Sequence, residues 1–312
     1  MPLSLRTALY RLLLACGLLV FAPAAVAWNA AGHRLGAAIA WSHLQPAVRT
    51  TIARLLVAHP DSSVWTLQAG SDAPEDLFVE AATWPDSIRR DPRFTDRPQP
   101  GNAHPDRARH RDWHFVDQPV QGDRHALRGG QLHHALPAQA ARLADTARPA
   151  AERAEALAWL CHLVGDAHQP LHTATRLIPA TRGDDDDEGG NGLQVVLAGG
   201  RSTQPISLHR YWDTLPGTTV LRGARLQRRA SALIAAHPAD SIAQGDTTAW
   251  IDESFALAQR FAYPAVVEVP HPLDDDYRQR AEALAERQVA ASGHRLGRWL
   301  NQLLGAPDTP RP

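Results

Sequence analysis

Cys161-His162-Leu163-Val164-Gly165-Asp166-Ala167-His168-Gln169-Pro170-Leu171-His172 is the stretch on which the reading of this chain turns. From about Pro149 to Gln169 the sequence reads as a helix, because Pro149 suits a first turn and Pro170 cannot continue one. On such a helix His162 and Asp166 stand four residues apart and project from one face. His172 follows the proline break, where the chain can swing back toward that face. Imidazole and carboxylate donors gathered in this way suit zinc, and a carboxylate set between histidines can bridge two metals. A polar helix end with a capping histidine would explain His-x-x-x-Asp alone. The full spacing through His172 is far more specific.

Upstream, residues 1–27 read as a signal segment rather than as part of the fold. Arg6 and Arg11 precede an apolar core from Leu12 to Phe21, and Ala25-Val26-Ala27 forms a small-residue cleavage site. Cleavage is expected before Trp28, with export to the periplasm or the medium. The mature chain would have 312 − 27 = 285 residues, enough for one large core. Cys16 leaves with the signal, so Cys161 stays alone as a buried thiol with no intrachain disulfide. Loss of the two arginines takes the formal charge from −1 to −3, which excludes a globally basic nucleic-acid binder; any grip on phosphate must be local. No later stretch is apolar for long enough to span a bilayer, so no stable membrane association is expected, and no obligate protein partner is evident.

Other segments add candidates for the same chemistry. The mature start Trp28-Asn29-Ala30-Ala31-Gly32-His33 runs into a helix ending near Leu44, and a free amine and carbonyl at residue 28 are potential chelators beside His33. Pro46 to Ala58 is a second helix, with Val48, Ile52, Leu55 and Leu56 at helical spacing. In Trp84-Pro85-Asp86-Ser87-Ile88-Arg89, Asp86 and Arg89 can present a metal ligand and a phosphate-binding guanidinium together. Residues 91–112 read as a long polar loop, followed by Trp113-His114-Phe115-Val116-Asp117. His133 and His134, on a helix expected over Gln131 to Ala147, lack a carboxylate at helical spacing. Residues 184–188 form an acidic run expected to be a solvated loop. Leu193 to Leu197 and Gln204 to Leu208 suit a hairpin. Ser207-Leu208-His209-Arg210-Tyr211-Trp212-Asp213 then repeats His-x-x-x-Asp. Helices are expected over about 222–237, 246–262 and 274–305. The fold class is mainly α: a single domain with one short β-hairpin. No internal repeat, glycine-rich phosphate loop, Cys-x-x-Cys pair or Gly-x-Ser-x-Gly elbow occurs.

Taken together, Trp-x4-His, Trp-Pro-Asp-Ser-Ile-Arg, His-Phe-Val-Asp, His-x3-Asp-x5-His and Leu-His-x2-Trp-Asp resemble the S1/P1 nuclease family, in the family's order, over about residues 28–213. The resemblance implies a secreted helical enzyme of the phospholipase C/P1 nuclease-like fold. It implies three Zn²⁺ and cleavage of single-stranded DNA and RNA to 5′-phosphorylated products, with 3′-nucleotidase activity on nucleotides. It assigns Asp86, His114 and His162 to one zinc, with Asp166 bridging to a second held by the Trp28 amine and carbonyl and by His33. His172, His209 and Asp213 would hold the third. Arg89 matches a phosphate-binding arginine, Asp86 a residue that orients water, and Phe115 and Asp117 positions that stack on and hydrogen-bond a base. His168 would support the ligands from behind. Three Zn²⁺ bring six positive charges and the three aspartates remove three, which makes the pocket locally cationic in a weakly acidic protein. Fungal members carry disulfides and glycans; without the cysteines or an Asn-x-Ser/Thr site, this chain looks like a bacterial relative.

Two other readings share parts of the pattern. A zinc-dependent phospholipase C also has an N-terminal tryptophan and a helical trinuclear site, but with a wider Trp-to-His spacing and a terminal glutamate ligand. A non-catalytic exported zinc-binding protein would have closed sites, usually rich in cysteine.

Overall fold

The computed structural model describes residues 28–97, 104–178, 186–197, 204–264 and 270–305; the expected signal segment and Asp184 and Asp185 of the acidic run lie outside the described residues. In chain order the helices are α1 (Ala30–His43), α2 (Pro46–Ala58), α3 (Ser62–Ala69), α4 (Pro74–Ala81), α5 (Trp84–Ser87), α6 (Leu132–Ala144), α7 (Ala150–Asp166), α8 (Leu208–Thr214), α9 (Gly223–Ala236), α10 (Thr247–Leu257) and α11 (Asp275–Leu304). The strands are β1 (Gln194–Leu197), β2 (Ile206–Ser207) and β3 (His271–Leu273).

Helix α7 is the axis of the molecule. It is buried continuously from Ala154 through Asp166, as expected of a helix that is apolar on every side. Its charged residues therefore sit in the core and need partners there. α6, α2 and α11 pack around it. α1 lies against α11, where a Cβ on Gly293 would come within 2.5 Å of the Ile39 Cβ. That close approach brings the start of α1 down onto α7 and carries His33 with it. The thirty-residue α11 begins with the Asp274 side chain capping the Tyr277 amide, and Asp275 and Asp276 occupy its first turn, where carboxylates favour the helix dipole.

A buried ion network fixes the other side of α1. Arg34 donates from Nε and Nη2 to the two Glu80 carboxylate oxygens, each at 2.9 Å, and Arg222 adds a 2.7 Å bond from outside. Two guanidinium groups on one buried carboxylate tie α1 and the entry to α9 to α4.

The expected hairpin forms, Gln194 opposite Ser207 and Val195 opposite Ile206, but the sheet has a third strand. β3 pairs parallel with β1, giving the order β2-β1-β3. Pro272 lies within β3; on an edge strand its missing N–H is no obstacle. Two helices, α3 and α4, also stand where no element was assigned between Ala58 and Trp84. No helix among the described residues is long and apolar enough to cross a membrane.

Candidate metal centre

Six chain segments deliver histidines and aspartates to the C-terminal end of α7. His162 and Asp166 come from its last turns, His33 from α1 and Asp86 from α5. His114 ends a 3₁₀ turn (Arg111–His114), and His172 ends another just past the proline break (Pro170–His172). His209 and Asp213 lie one turn apart on α8. Trp28 is buried against the start of α1, and the next amide, Asn29 N, donates to the Asp213 carbonyl at 2.9 Å. Residues 28 and 29 therefore lie beside the same cluster.

The donors group into three sets, in each of which the candidate ligand atoms lie within 4.8 Å of one another: His33, Asp86 and His162; His114, His162 and Asp166; His172, His209 and Asp213. The last set coincides with the third site assigned by the resemblance. The first two distribute the remaining side chains differently from that assignment, because His162 belongs to both and His33 stacks on it at 3.8 Å between ring centroids. Asp166 lies 3.1 Å from His114 Nδ1, 3.3 Å from His162 Nε2 and 3.5 Å from His33 Nε2, a position from which it reaches donors of both sets.

Three histidines are aimed in one way. His162 Nδ1 bonds the Ala82 carbonyl at 2.8 Å, His172 Nδ1 the His114 carbonyl at 2.6 Å, and His209 Nδ1 the Gly189 carbonyl at 2.8 Å. Each Nδ1–H donates outward, so each Nε2 offers a lone pair inward. His172 Nε2 and His209 Nε2 consequently face each other at 3.1 Å, two lone pairs with no proton between them. Two nitrogens bound to one tetrahedral zinc stand about 3.3 Å apart, so the pair has the separation of two ligands on one ion. His33 Nδ1 and Nε2, His114 Nε2 and Asp166 Oδ1 are buried and have no hydrogen-bond partner among the described residues. These orphaned donors fit a set of cations.

The electrostatics agree. Burial, reinforced by neighbouring imidazoles, holds His33, His114 and His172 well below the usual histidine range, and burial, helped by the charge of Arg89 and opposed by the bond to the Gly189 carbonyl, takes His209 down to about 4. These rings are neutral, the form that binds metal. Burial pushes Asp166 up to about 6 and Asp213 well above the carboxylate range. His162 runs the other way: burial opposes its protonation, but Asp166 and Asp86 outweigh it and raise it. Buried carboxylates surrounded by neutral imidazoles need positive charge supplied from elsewhere. Gln169 donates to Asp213 Oδ1 at 2.8 Å and fixes that carboxylate.

A cleft of about 1100 Å³ opens onto the cluster, lined by His114, His172, His209, Arg89, Phe115 and Asp117 among others. Arg89 lies 3.4 Å from Asp86, and its Nε is buried without a partner. Phe115 is half-buried; a Cβ on Gly130 (φ +81°) would meet its carbonyl oxygen at 2.1 Å, so the chain passes behind the ring only as glycine. Burial, then the charges of Asp186, Asp187 and Glu188, raises Asp117 to about 7.

Two expectations change. The acidic run is not simply solvated: Asp187 is buried and its Oδ1 takes bonds from the amides of Arg176 and Gly190. His168 stands apart from the ligands, bonding the Val164 carbonyl at 2.7 Å and Arg295 at 2.8 Å, and so links α7 to α11. Cys161 is free and buried, its thiol pushed up by burial and chemically quiet. His133 and His134 pair with each other and join none of the three sets.

What sequence spacing could not reveal is the supporting set: the carbonyls of Ala82, His114 and Gly189, and Gln169. Main-chain acceptors leave no signature in residue identity.

Comparison with known proteins agrees with this geometry. Over 312 aligned residues the chain is 25% identical to Nuclease P1 of Penicillium citrinum, covering 89% of this chain and 98% of that protein. It is 23% identical over 295 residues to Nuclease S1 of Aspergillus oryzae, covering 86% and 93%. It is 27% identical over 171 residues to Endonuclease 2 of Arabidopsis thaliana, covering 48% and 52%. The S1/P1 Nuclease family profile matches residues 28–305, which takes in every candidate ligand, and the chain belongs to that family.

Proposed function

We propose that the protein is an exported, three-zinc endonuclease that hydrolyses phosphodiester bonds of single-stranded DNA and RNA to 5′-phosphorylated products and removes 3′-phosphates from nucleotides. The observation that carries the reading is the convergence of neutral imidazoles and buried carboxylates on the floor of an arginine- and phenylalanine-lined cleft. His114, His162, His33, Asp86 and Asp166 would hold two zinc ions together with the Trp28 amine and carbonyl, freed by removal of residues 1–27. His172, His209 and Asp213 would hold the third. Bound zinc supplies Lewis acidity and water of lowered pKa.

The chain's own groups do the rest. Arg89, held beside Asp86, takes a non-bridging phosphate oxygen and stabilises the charge that grows there during in-line attack. Asp86 accepts a hydrogen bond from the attacking water and orients it. Phe115 stacks on a base, worth about 1–3 kcal/mol, and only an unpaired base offers its face. Asp117 meets the polar edge of that base.

The test is cleavage of circular single-stranded DNA by protein beginning at Trp28, with and without a zinc chelator. Chelator-sensitive conversion to short 5′-phosphorylated fragments is the expected outcome. Zinc-loaded protein that leaves the circle intact overturns the proposal.

A further inference from the structure

A second cavity of about 750 Å³ lies behind the acidic segment, lined by Arg176, Arg260, Phe261, Tyr263, Tyr277 and Arg280 among others. Its lining holds three arginines against one aspartate, Asp274, and none of the three arginines forms an ion pair among the described residues. Arg176 is already posed. Its guanidinium lies over the Tyr263 ring, 4.5 Å from the centroid, and Nη2 donates to the Pro264 carbonyl at 2.7 Å, while Nη1 has no partner among the described residues. Phe261 is 42% exposed and sits on a π-helical turn (Ala258–Ala262), an irregularity that recurs at functional positions.

This cavity shares a wall with the cleft. Asp187 lines the cleft, and its Oδ1 accepts 2.9 Å bonds from the Arg176 amide and the Tyr263 hydroxyl, both in the second lining. On the other side Tyr277 accepts a 2.9 Å bond from Trp212, the neighbour of Asp213 on α8. The wall is thus pinned to the elements that carry the candidate ligands.

We infer that this cavity is a second nucleotide-binding subsite, in which Arg260, Arg280 and Arg176 meet a phosphate and Phe261 stacks on a base of a single strand extending past the cleft. Unpaired cations beside an exposed ring are what such a strand recognises: charge follows the backbone and the ring takes any base. The assignment of the strand as substrate rests on the nuclease reading; the binding of a nucleotide does not.

The test uses zinc-loaded protein and 5′-AMP, which has neither a phosphodiester nor a 3′-phosphate, with the surface variant R260A/F261A/R280A. Calorimetry is expected to show two 5′-AMP sites in the parent and one in the variant. The variant's KM for a long single strand is expected to rise about tenfold relative to its KM for a dinucleotide. A single site in the parent, two sites in the variant, or equal rises in both KM values overturns the subsite. Protein that binds two 5′-AMP but cleaves nothing keeps the subsite and removes the nuclease reading.

Discussion

His33 reaches the centre only because residue 165 carries no side chain: a Cβ there would stand 2.7 Å from His33 Nδ1. Glycine inside a helix is unfavourable by about 1 kcal/mol relative to alanine, so this position gives up helix stability for ligand placement. Gly165→Ala is therefore expected to keep or raise the melting temperature of chelated protein. It should also lower bound metal by about one ion in three, read by elemental analysis. Unchanged metal content would show that His33 is not a ligand. Arg89 makes a different prediction, since under the proposed function it would contact the reacting phosphate rather than metal. Arg89→Ala should retain full metal and lower kcat on single-stranded DNA by roughly 10²–10³-fold, the usual effect of removing one donor aimed at developing charge. Residue spacing exposed part of the cluster because i,i+4 pairs such as His162–Asp166 and His209–Asp213 share a helix face by geometry alone. Gly165 stood inside the same motif, but its role depends on α1, which no local spacing encodes.

Helix α5, which presents Asp86, is a single turn with little packing of its own. It is fixed from behind by Trp84, whose Nε1 donates to Asp61 at 2.8 Å. Asp61, just before α3, also takes a bidentate bond from Arg93 and faces His104 at 3.5 Å. His104 in turn lies 3.2 Å from Glu155 on α7, with the neutral ring of His59 alongside. Burial opposes protonation of His104, but the Asp61 and Glu155 carboxylates outweigh it and raise His104 to about 9. A histidine raised on folding stabilises fully below its unfolded value near 6.5 and loses that contribution as pH climbs through its folded value. Stability should therefore decline between about pH 6.5 and 9, and His104→Gln should flatten that slope in thermal melts followed across the range. A variant with the parent's slope would remove His104 as its origin. This network was illegible in the sequence because Asp61, Arg93, His104 and Glu155 have no periodic relation; the fold alone brings them together. The longer helices were legible from periodicity, and Pro46–Ala58 was bounded as expected. α3 escaped because Trp65 is its one buried residue, leaving no apolar stripe to detect.

At the scale of the whole molecule, family membership, the helical fold and the convergence of the donors all followed from motifs between residues 28 and 213. The C-terminal third was legible only as helices, and β3 and most of the second cavity's lining lie there. Part of its contribution is mechanical: α11 presses α1 into place and receives His168 through Arg295. The candidate ligands, meanwhile, come from segments separated by as many as 180 residues, from His33 to Asp213. Bound ions would close those long stretches of chain into loops, the topological service that disulfides give many exported proteins. In a chain whose one described cysteine is free and buried, resistance to secreted proteases would then become a property of metal status. Chelation should shorten survival in a protease challenge severalfold at a temperature where the chelated protein is still folded, and added zinc should restore it. Such an enzyme carries its own expiry mechanism: surroundings that strip zinc would mark it for destruction, while zinc-replete surroundings would keep it whole.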